Sequence, residues 1–463
     1  MYFFEKNEAY KNRVFLIDES GASYTYGQVW QIGDTIAAKI PPRSLCLLLV
    51  GNDVSSISSY FALLRKGCPV ILMGKNTEES LIRRMKETYR PAFVIAGGAS
   101  EDQKEAPAEL YSKLGLLLST SGSTGAQKLV RLSYDNLQAN CDSIVEYLEL
   151  TEQERPITTL PMEYTYGLSV IHSHAAVGAS IILTDRAFVD LKFWELVEKQ
   201  GATSMAGVPY SYEMLHRLRI ERMDLPKLRT LTQAGGHLKT ELQESIGAWA
   251  QESGRRLFVM YGQTEATARM SYVPPRRCLD KIGSIGIPVP GGRIELLGTE
   301  GEPITAPKEN GELIYYGANV SLGYASCRED LAKGDENEGR LETGDIAYRD
   351  EEGYFYITGR KKRFIKLYGK RISLDQVQED LQEEFDTADI VCTGNDDQGV
   401  IVWQTRQTAE ADPERLEQVF WDRWGIRGDK VHMRTIDQIP RNASGKIIYA
   451  ELKQGEEDGV PKQ

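Results

Sequence analysis

Four hydroxyl side chains, two glycines and a lysine stand together in Thr120-Ser121-Gly122-Ser123-Thr124-Gly125-Ala126-Gln127-Lys128. Backbone N–H groups that glycine leaves accessible, hydroxyl donors and one ammonium group are the set that can surround a polyphosphate. The spacing is not that of a Walker-type loop, because no Ser or Thr follows Lys128 and the lysine is displaced from the usual Gly-Lys-Ser/Thr order. An ordinary P-loop kinase or GTPase is thereby disfavoured. The apolar run from Leu114 to Leu118 reads as a buried strand, and a helical pattern runs from about Tyr134 to Leu148. A phosphate loop between a strand and a helix fits this setting better than a Ser/Gly linker between polar tracts.

Further chemistry-bearing segments follow in order: Tyr261-Gly262-Gln263-Thr264-Glu265, Thr343-Gly344-Asp345, Gly359-Arg360-Lys361-Lys362 and Pro440-Arg441-Asn442-Ala443-Ser444-Gly445-Lys446. Taken alone, Thr264-Glu265 could be an acidic first turn of a helix, and Thr343-Gly344-Asp345 a plain β-turn. As a set spanning most of the chain, they resemble the motifs of the adenylate-forming superfamily. That superfamily comprises acyl- and aryl-CoA synthetases, adenylation domains of nonribosomal peptide synthetases, and luciferases.

The resemblance implies two steps. A carboxylate attacks the α-phosphorus of ATP, giving an acyl-adenylate and pyrophosphate; a thiol of coenzyme A or of a carrier phosphopantetheine then displaces AMP. Such chemistry needs positioning and charge neutralisation more than covalent help. By the resemblance, Thr120 to Gly125 and Lys128 hold the β- and γ-phosphates. Glu265 is the Mg2+ ligand, a hard carboxylate oxygen beside phosphates, and Thr264 contacts the α-phosphate or the acyl carbonyl. Tyr261 stacks on adenine, Gly262 and Gln263 belong to the same nucleotide site, and Gly235-Gly236 lets the purine approach the backbone. Asp345 accepts from the ribose hydroxyls, and Arg360 donates to the same ribose or to a phosphate. Lys362 is the hinge, while Lys361 and Arg363 read as a solvated face. Lys446, on a turn-rich loop, bridges the carboxylate and the α-phosphate as charge develops. Gly369 lets pantetheine pass. The segment after it, Ser373-Leu374-Asp375-Gln376-Val377-Gln378, lacks two glutamates usual in the superfamily.

The acid is less legible. Tyr164, Thr165, Tyr166 and Gly207 stand where the superfamily forms its acyl pocket, although the two tyrosines could equally be core aromatics. Thr165 replaces the aspartate that α-amino-acid adenylation domains use to hold the ammonium group, which disfavours an α-amino acid. An acid–CoA ligase for a small or medium non-amino carboxylic acid is expected. The alternatives are a stand-alone adenylation enzyme that loads a carrier protein, and a nucleotide-binding protein that has lost catalysis. The joint presence of Lys128, Glu265, Asp345 and Lys446 argues against the last. His172 and His174 read as core histidines.

These residues need a scaffold. Short apolar strands alternate with helices through much of the chain, as in Leu45–Val50, Val70–Met73, Phe93–Ile95, Thr203–Val208, Leu228–Ala234 and Leu257–Met260. That alternation indicates βαβ units and parallel sheets, with ligands at the carboxyl ends of the strands. The stretch from Gly97 to Glu109 reads as a loop. From Ile282 glycines and prolines recur between short strands, a small antiparallel β-region. The expected class is α/β: a large N-terminal domain, residues 1–360, then a small mobile α+β C-terminal domain, residues 361–463, that carries the catalytic lysine.

With 463 residues, more than one domain is expected,. A net charge of −12 is unlike a nucleic-acid surface. The six cysteines form no Cys-x-x-Cys pair, so neither a zinc site nor a disulfide framework is indicated. Neither a signal peptide nor a membrane span is read, and a cytoplasmic location is expected.

Overall fold

The computed structural model describes residues 1–119, 128–368, 370–385, 387, 389–405, 413–441, 447–449 and 451–452. Close packing groups them into two units, one from Met1–Thr120, Ala126–Ile294 and Tyr315–Leu341, the other from Glu295–Ile314 and Glu342–Gln463.

In the first unit, one seven-stranded sheet runs in the order Gly323–Ala325, Leu129–Ser133, Leu114–Ser119, Val70–Gly74, Cys46–Val50, Phe93–Ala96, Ala99–Asp102. Its central strands are parallel. Alternate residues feed two cores: Leu48, Leu72, Leu116 and Leu118 face one, and Leu47, Ile71 and Leu117 the other. Burial on both faces explains why these strands read as continuous apolar runs. A second sheet, nine-stranded, is ordered Ile287–Pro288, Ser271–Val273, Arg256–Tyr261, Thr230–Gln233, Ser204–Gly207, Pro156–Ile157, Ile181–Ile182, Val14–Ile17, Ser23–Thr25. It is parallel from Arg256–Tyr261 through Val14–Ile17 and antiparallel at both ends. Helix Thr165–Ala176 is buried from Thr165 to Ala175, as befits a helix apolar on every side. There His172 accepts from or donates to Tyr60 Oη at 3.0 Å, and burial lowers its pKa to about 3.

The second unit holds most residues of a four-stranded sheet, ordered Arg293–Leu297, Gly311–Tyr316, Arg340–Arg349, Phe355–Arg360. Beyond it, the hairpin Phe364–Leu367 with Lys370–Ser373 leads into helix Leu374–Glu384. The three strands Ile390–Asn395, Gly399–Thr405 and Val431–Ile436 and helix Pro413–Trp424 complete it. Ile365, Val377, Leu381, Cys392, Val402 and Phe420 form its core. Among the described residues no helix is long and apolar enough to cross a membrane.

Two local readings are corrected. Gly97 to Glu109 is not all loop: Ala99–Asp102 pairs antiparallel with Phe93–Ala96. Gly97 and Gly98, at φ of 56° and 80°, make the two-residue hairpin turn that requires positive φ at both positions. The strand is polar because it is a mostly exposed edge. A strand, Leu129–Ser133, also stands between the phosphate-loop segment and the helix, antiparallel to Leu114–Ser119 with Ser119 opposite Leu129. The charge of Arg131 hid it from an apolar-run reading. Thr343-Gly344-Asp345 lies within the strand Arg340–Arg349, which sets aside the plain β-turn that the motif taken alone allowed.

Candidate functional site

The loop residues Thr120 to Gly125, together with Gly369 and Lys446, lie outside the described residues. What flanks the loop is clear. Lys128 is exposed just before the strand Leu129–Ser133. Helix Tyr134–Leu148 opens with a reciprocal cap, Ser133 Oγ accepting from Asn136 N at 2.9 Å and Asn136 Oδ1 from Ser133 N at 2.9 Å. Those caps satisfy N–H groups at the helix start, and the helix follows a second strand rather than the loop itself.

At the end of strand Arg256–Tyr261 the chain turns sharply. A Cβ on Gly262 would come within 1.6 Å of the Ala268 carbonyl oxygen, so only glycine fits this approach. Thr264–Ala266 is a single 3-10 turn, and Thr267 and Ala268 follow at φ of 55° and 97°. Two non-glycine residues at positive φ store strain that the surroundings must hold. Asn319 does so: its Nδ2 donates to Ala266 O at 2.8 Å and Arg269 O at 3.1 Å, and its carbonyl accepts from Thr267 Oγ1 at 2.6 Å. Ser321 N donates to Glu265 O at 2.8 Å. The Glu265 carboxylate accepts from Tyr324 Oη at 2.7 Å, and Gln263 Nε2 donates to Tyr261 Oη at 3.1 Å.

Thr165 begins the buried helix, and its Oγ1 lies 3.0 Å from Thr264 Oγ1. Gly235 follows strand Thr230–Gln233 at φ of 87°, and a Cβ there would come within 2.6 Å of Tyr164 Oη. The Tyr164 hydroxyl therefore packs on the Gly235-Gly236 turn, and burial pushes its pKa up to about 12. Tyr164, Thr165, Thr264 and Gly235 are thus brought together. Tyr166 and Gly207 are both packed against neighbouring side chains. The Tyr166 ring is buried and its hydroxyl donates to Thr232 Oγ1 at 2.7 Å, while a Cβ on Gly207 would come within 2.8 Å of the Tyr212 ring. His237, which the sequence left without a role, is exposed beside Gly236.

In the second unit, cross-strand register places Asp345 opposite Arg360. Arg360 Nε lies 3.3 Å from Asp345 Oδ1, the carboxylate buried and the guanidinium exposed. Asp345 N donates to Thr343 Oγ1 at 3.1 Å, and Thr343 Oγ1 donates to Leu313 O at 2.8 Å. Lys362 lies in the 3-10 turn Lys361–Arg363. The solvated reading suits Lys361, exposed and paired with Glu312 at 2.7 Å, but not Arg363. Arg363 is largely buried, pairs with Asp375 and stacks 3.9 Å from the centre of the Tyr449 ring. Asp375 also accepts from Arg360 N at 3.1 Å, so one carboxylate holds both sides of residue 362. Sequence reasoning missed this because the partners are distant in the chain and joined only by the fold.

Two α/β sheets with reactive side chains at strand ends define a ligand-binding fold, and comparison with known structures makes it that of the adenylate-forming enzymes. The o-succinylbenzoate CoA synthetase of Bacillus subtilis, in complex with its acyl-adenylate intermediate, superposes with a TM-score of 0.79 at 21% identity over 95% of each chain. A sulfoacetate–CoA ligase from Cupriavidus necator is 30% identical over 357 residues, 76% of this chain and 67% of that one. A feruloyl-CoA synthase from an Amycolatopsis species is 28% identical over 344 residues, 73% of this chain and 69% of that one. The AMP-binding enzyme family matches residues 112–325. This chain belongs to that family, within the adenylate-forming superfamily.

Proposed function

We propose that the chain activates a small or medium non-amino carboxylic acid with ATP and transfers the acyl group to coenzyme A. In the first step a carboxylate oxygen bonds to the α-phosphorus, and the bond to the β-phosphate oxygen breaks to release pyrophosphate. In the second the thiolate sulfur bonds to the acyl carbon, and the acyl–phosphate bond breaks to release AMP. The observation that carries this reading is the meeting of Thr264 and Thr165 hydroxyls at 3.0 Å beside Glu265. Such a pair of hydroxyls suits a carbonyl or phosphate oxygen that gains charge, and it stands one residue from a carboxylate suited to Mg2+.

Among the described residues no three His, Cys, Asp or Glu side chains gather as a metal cage. Glu265 alone therefore suits a cation that takes its remaining ligands from phosphates and water, the habit of Mg2+. Tyr324 would orient that carboxylate, so Tyr324→Phe should raise the Mg2+ concentration for half-maximal activity roughly tenfold. An unchanged Mg2+ titration would remove Tyr324 from this role. Asp345 and Arg360 would serve the ribose, Gly235 and Tyr261 the purine, and residues 361–463 would move about Lys362 between the half-reactions.

The test is ATP–pyrophosphate exchange over a panel of acids, followed by AMP release with coenzyme A or with a phosphopantetheinylated carrier protein. Exchange that depends on acid and Mg2+, and AMP release with coenzyme A, are expected. Release only with the carrier would reassign the thiol acceptor, and no exchange with any acid would refute the reading.

A further inference from the structure

Two arginines are among the largest fully buried side chains of the described residues, Arg131 and Arg269. Arg131 is satisfied by Glu336 and by backbone carbonyls. Arg269 is not. Only 2% exposed, it has no carboxylate within ion-pairing distance among the described residues. Its Nε donates to Ser169 Oγ at 3.2 Å, and its Nη1 to Tyr147 Oη at 2.9 Å and Met260 Sδ at 3.6 Å. The guanidinium carbon stands 5.0 Å from the centre of the Tyr166 ring. Every one of these partners is neutral, and Nη2 makes no hydrogen bond to a described residue. An arginine cannot shed its proton to relieve burial. A buried cation without a counter-ion is unfavourable by several kcal/mol.

The place of this charge gives it a use. Arg269 directly follows the strained Thr267-Ala268 pair that closes the Thr264–Ala266 turn. Ser169, its hydrogen-bond acceptor, lies one helical turn beyond Thr165, about 6 Å along the axis. Thr165 in turn touches Thr264. Met260, the sulfur acceptor, immediately precedes Tyr261 on its strand. The unpaired guanidinium therefore sits about one helical turn from the hydroxyl pair assigned to the reacting carbonyl.

We propose that Arg269 is the specificity residue of the acyl site, and that the acid activated here carries a second anionic group, a carboxylate or sulfonate, that pairs with it. This rests on the reading of the chain as an acid-activating ligase. The first carboxylate reacts at the Thr264 end, and the second anion supplies the counter-charge that the protein omits. Arg269 Nη2 keeps N–H donors for an oxygen of that second anion, a charge-assisted contact. The same positive charge repels an ammonium group, which accords with Thr165 standing where an amino-acid enzyme has an aspartate. The relatives' names leave the acid open: one acts on sulfoacetate, with two anionic groups, and another makes feruloyl-CoA, from an acid with one.

The test uses matched pairs that differ by one anion: succinate and butyrate, malonate and propionate, phthalate and benzoate. In pyrophosphate exchange the parent chain should favour the best dianion over its monoanionic partner by about a hundredfold in kcat/KM, the scale of one charge-assisted contact. Arg269→Met should abolish that ratio, and Arg269→Lys should restore part of it. Equal use of monoanions by the parent chain overturns the inference and leaves the ligase reading standing. If no acid supports exchange, the ligase reading fails, and thermal shifts of the parent chain decide the inference. A shift with succinate, malonate or phthalate that their monoanionic partners do not produce, and that Arg269→Lys keeps in part, supports it; no difference overturns it. Because the parent chain's ratio decides first, a variant that fails to fold does not blunt the test.

Discussion

Lys446→Ala is expected to slow acyl-adenylate formation by a factor on the order of a hundred or more, the scale for losing one preorganised charge contact. The lysine stands in the turn-rich segment Pro440 to Lys446, and the resemblance assigns it to the adenylation step alone. Supplied with pre-made acyl-adenylate, the variant should still transfer the acyl group to the thiol at a rate near the parent's. Lys362→Pro should do the reverse. Proline fixes φ, so the turn Lys361–Arg363 could not change its backbone, and thioester formation should fall while adenylation survives. Asp375 holds the Arg360 N–H and the Arg363 guanidinium on either side of that turn, so rotation there must release at least one of these contacts. The measurement is a comparison of both variants in both half-reactions. Equal impairment of both steps by Lys446→Ala would refute the assignment of a moving second domain, even if the adenylation chemistry stands.

Arg131→Met should destabilise the first unit by about 2–5 kcal/mol, because it removes the donors of several buried carbonyls while the half-exposed Glu336 carboxylate stays solvated,. The side chain is fully buried. It donates to Leu322 O at 2.8 Å, to Tyr324 O and Gly334 O at 3.1 Å each, and also to Lys333 O and the Glu336 carboxylate. These bonds tie the strand that follows the phosphate-loop segment to Gly323–Ala325, the strand that carries Tyr324. Methionine would fill the space and leave the carbonyls unsatisfied, each unmet group being worth about 1–3 kcal/mol. Denaturant unfolding followed by intrinsic fluorescence reads the change. A loss below about 1 kcal/mol, the ordinary range for an exposed ion pair, would show that the network is redundant.

The reaction class and the α/β architecture were legible in the residues themselves. Glycines, hydroxyls and a lysine in a fixed order have few uses besides phosphate binding. Apolar runs such as Cys46–Val50 and Val70–Gly74 have few besides strands covered on both faces. Such signals are local, so they survive without coordinates. Polar or charged strands escaped the same reading: Ala99–Asp102 is an exposed edge, and Leu129–Ser133 contains a buried arginine whose partners lie far along the chain. Sequence order also left Tyr164 and Tyr166 undistinguished, and packing separated them. Tyr166 turns into the core toward Thr232, whereas Tyr164 rests on Gly235. Arg363 looked like one charge in a basic run until Asp375 and Tyr449 were found around it. Arg269 carried no motif at all. What the sequence by itself determined was the alternation of apolar strands with helices and the chemistry of the nucleotide segments, because both are written in neighbouring residues. Which charges are buried, and which of them lack a counter-ion, only the tertiary structure decided, because burial and pairing depend on residues brought from opposite ends of the chain.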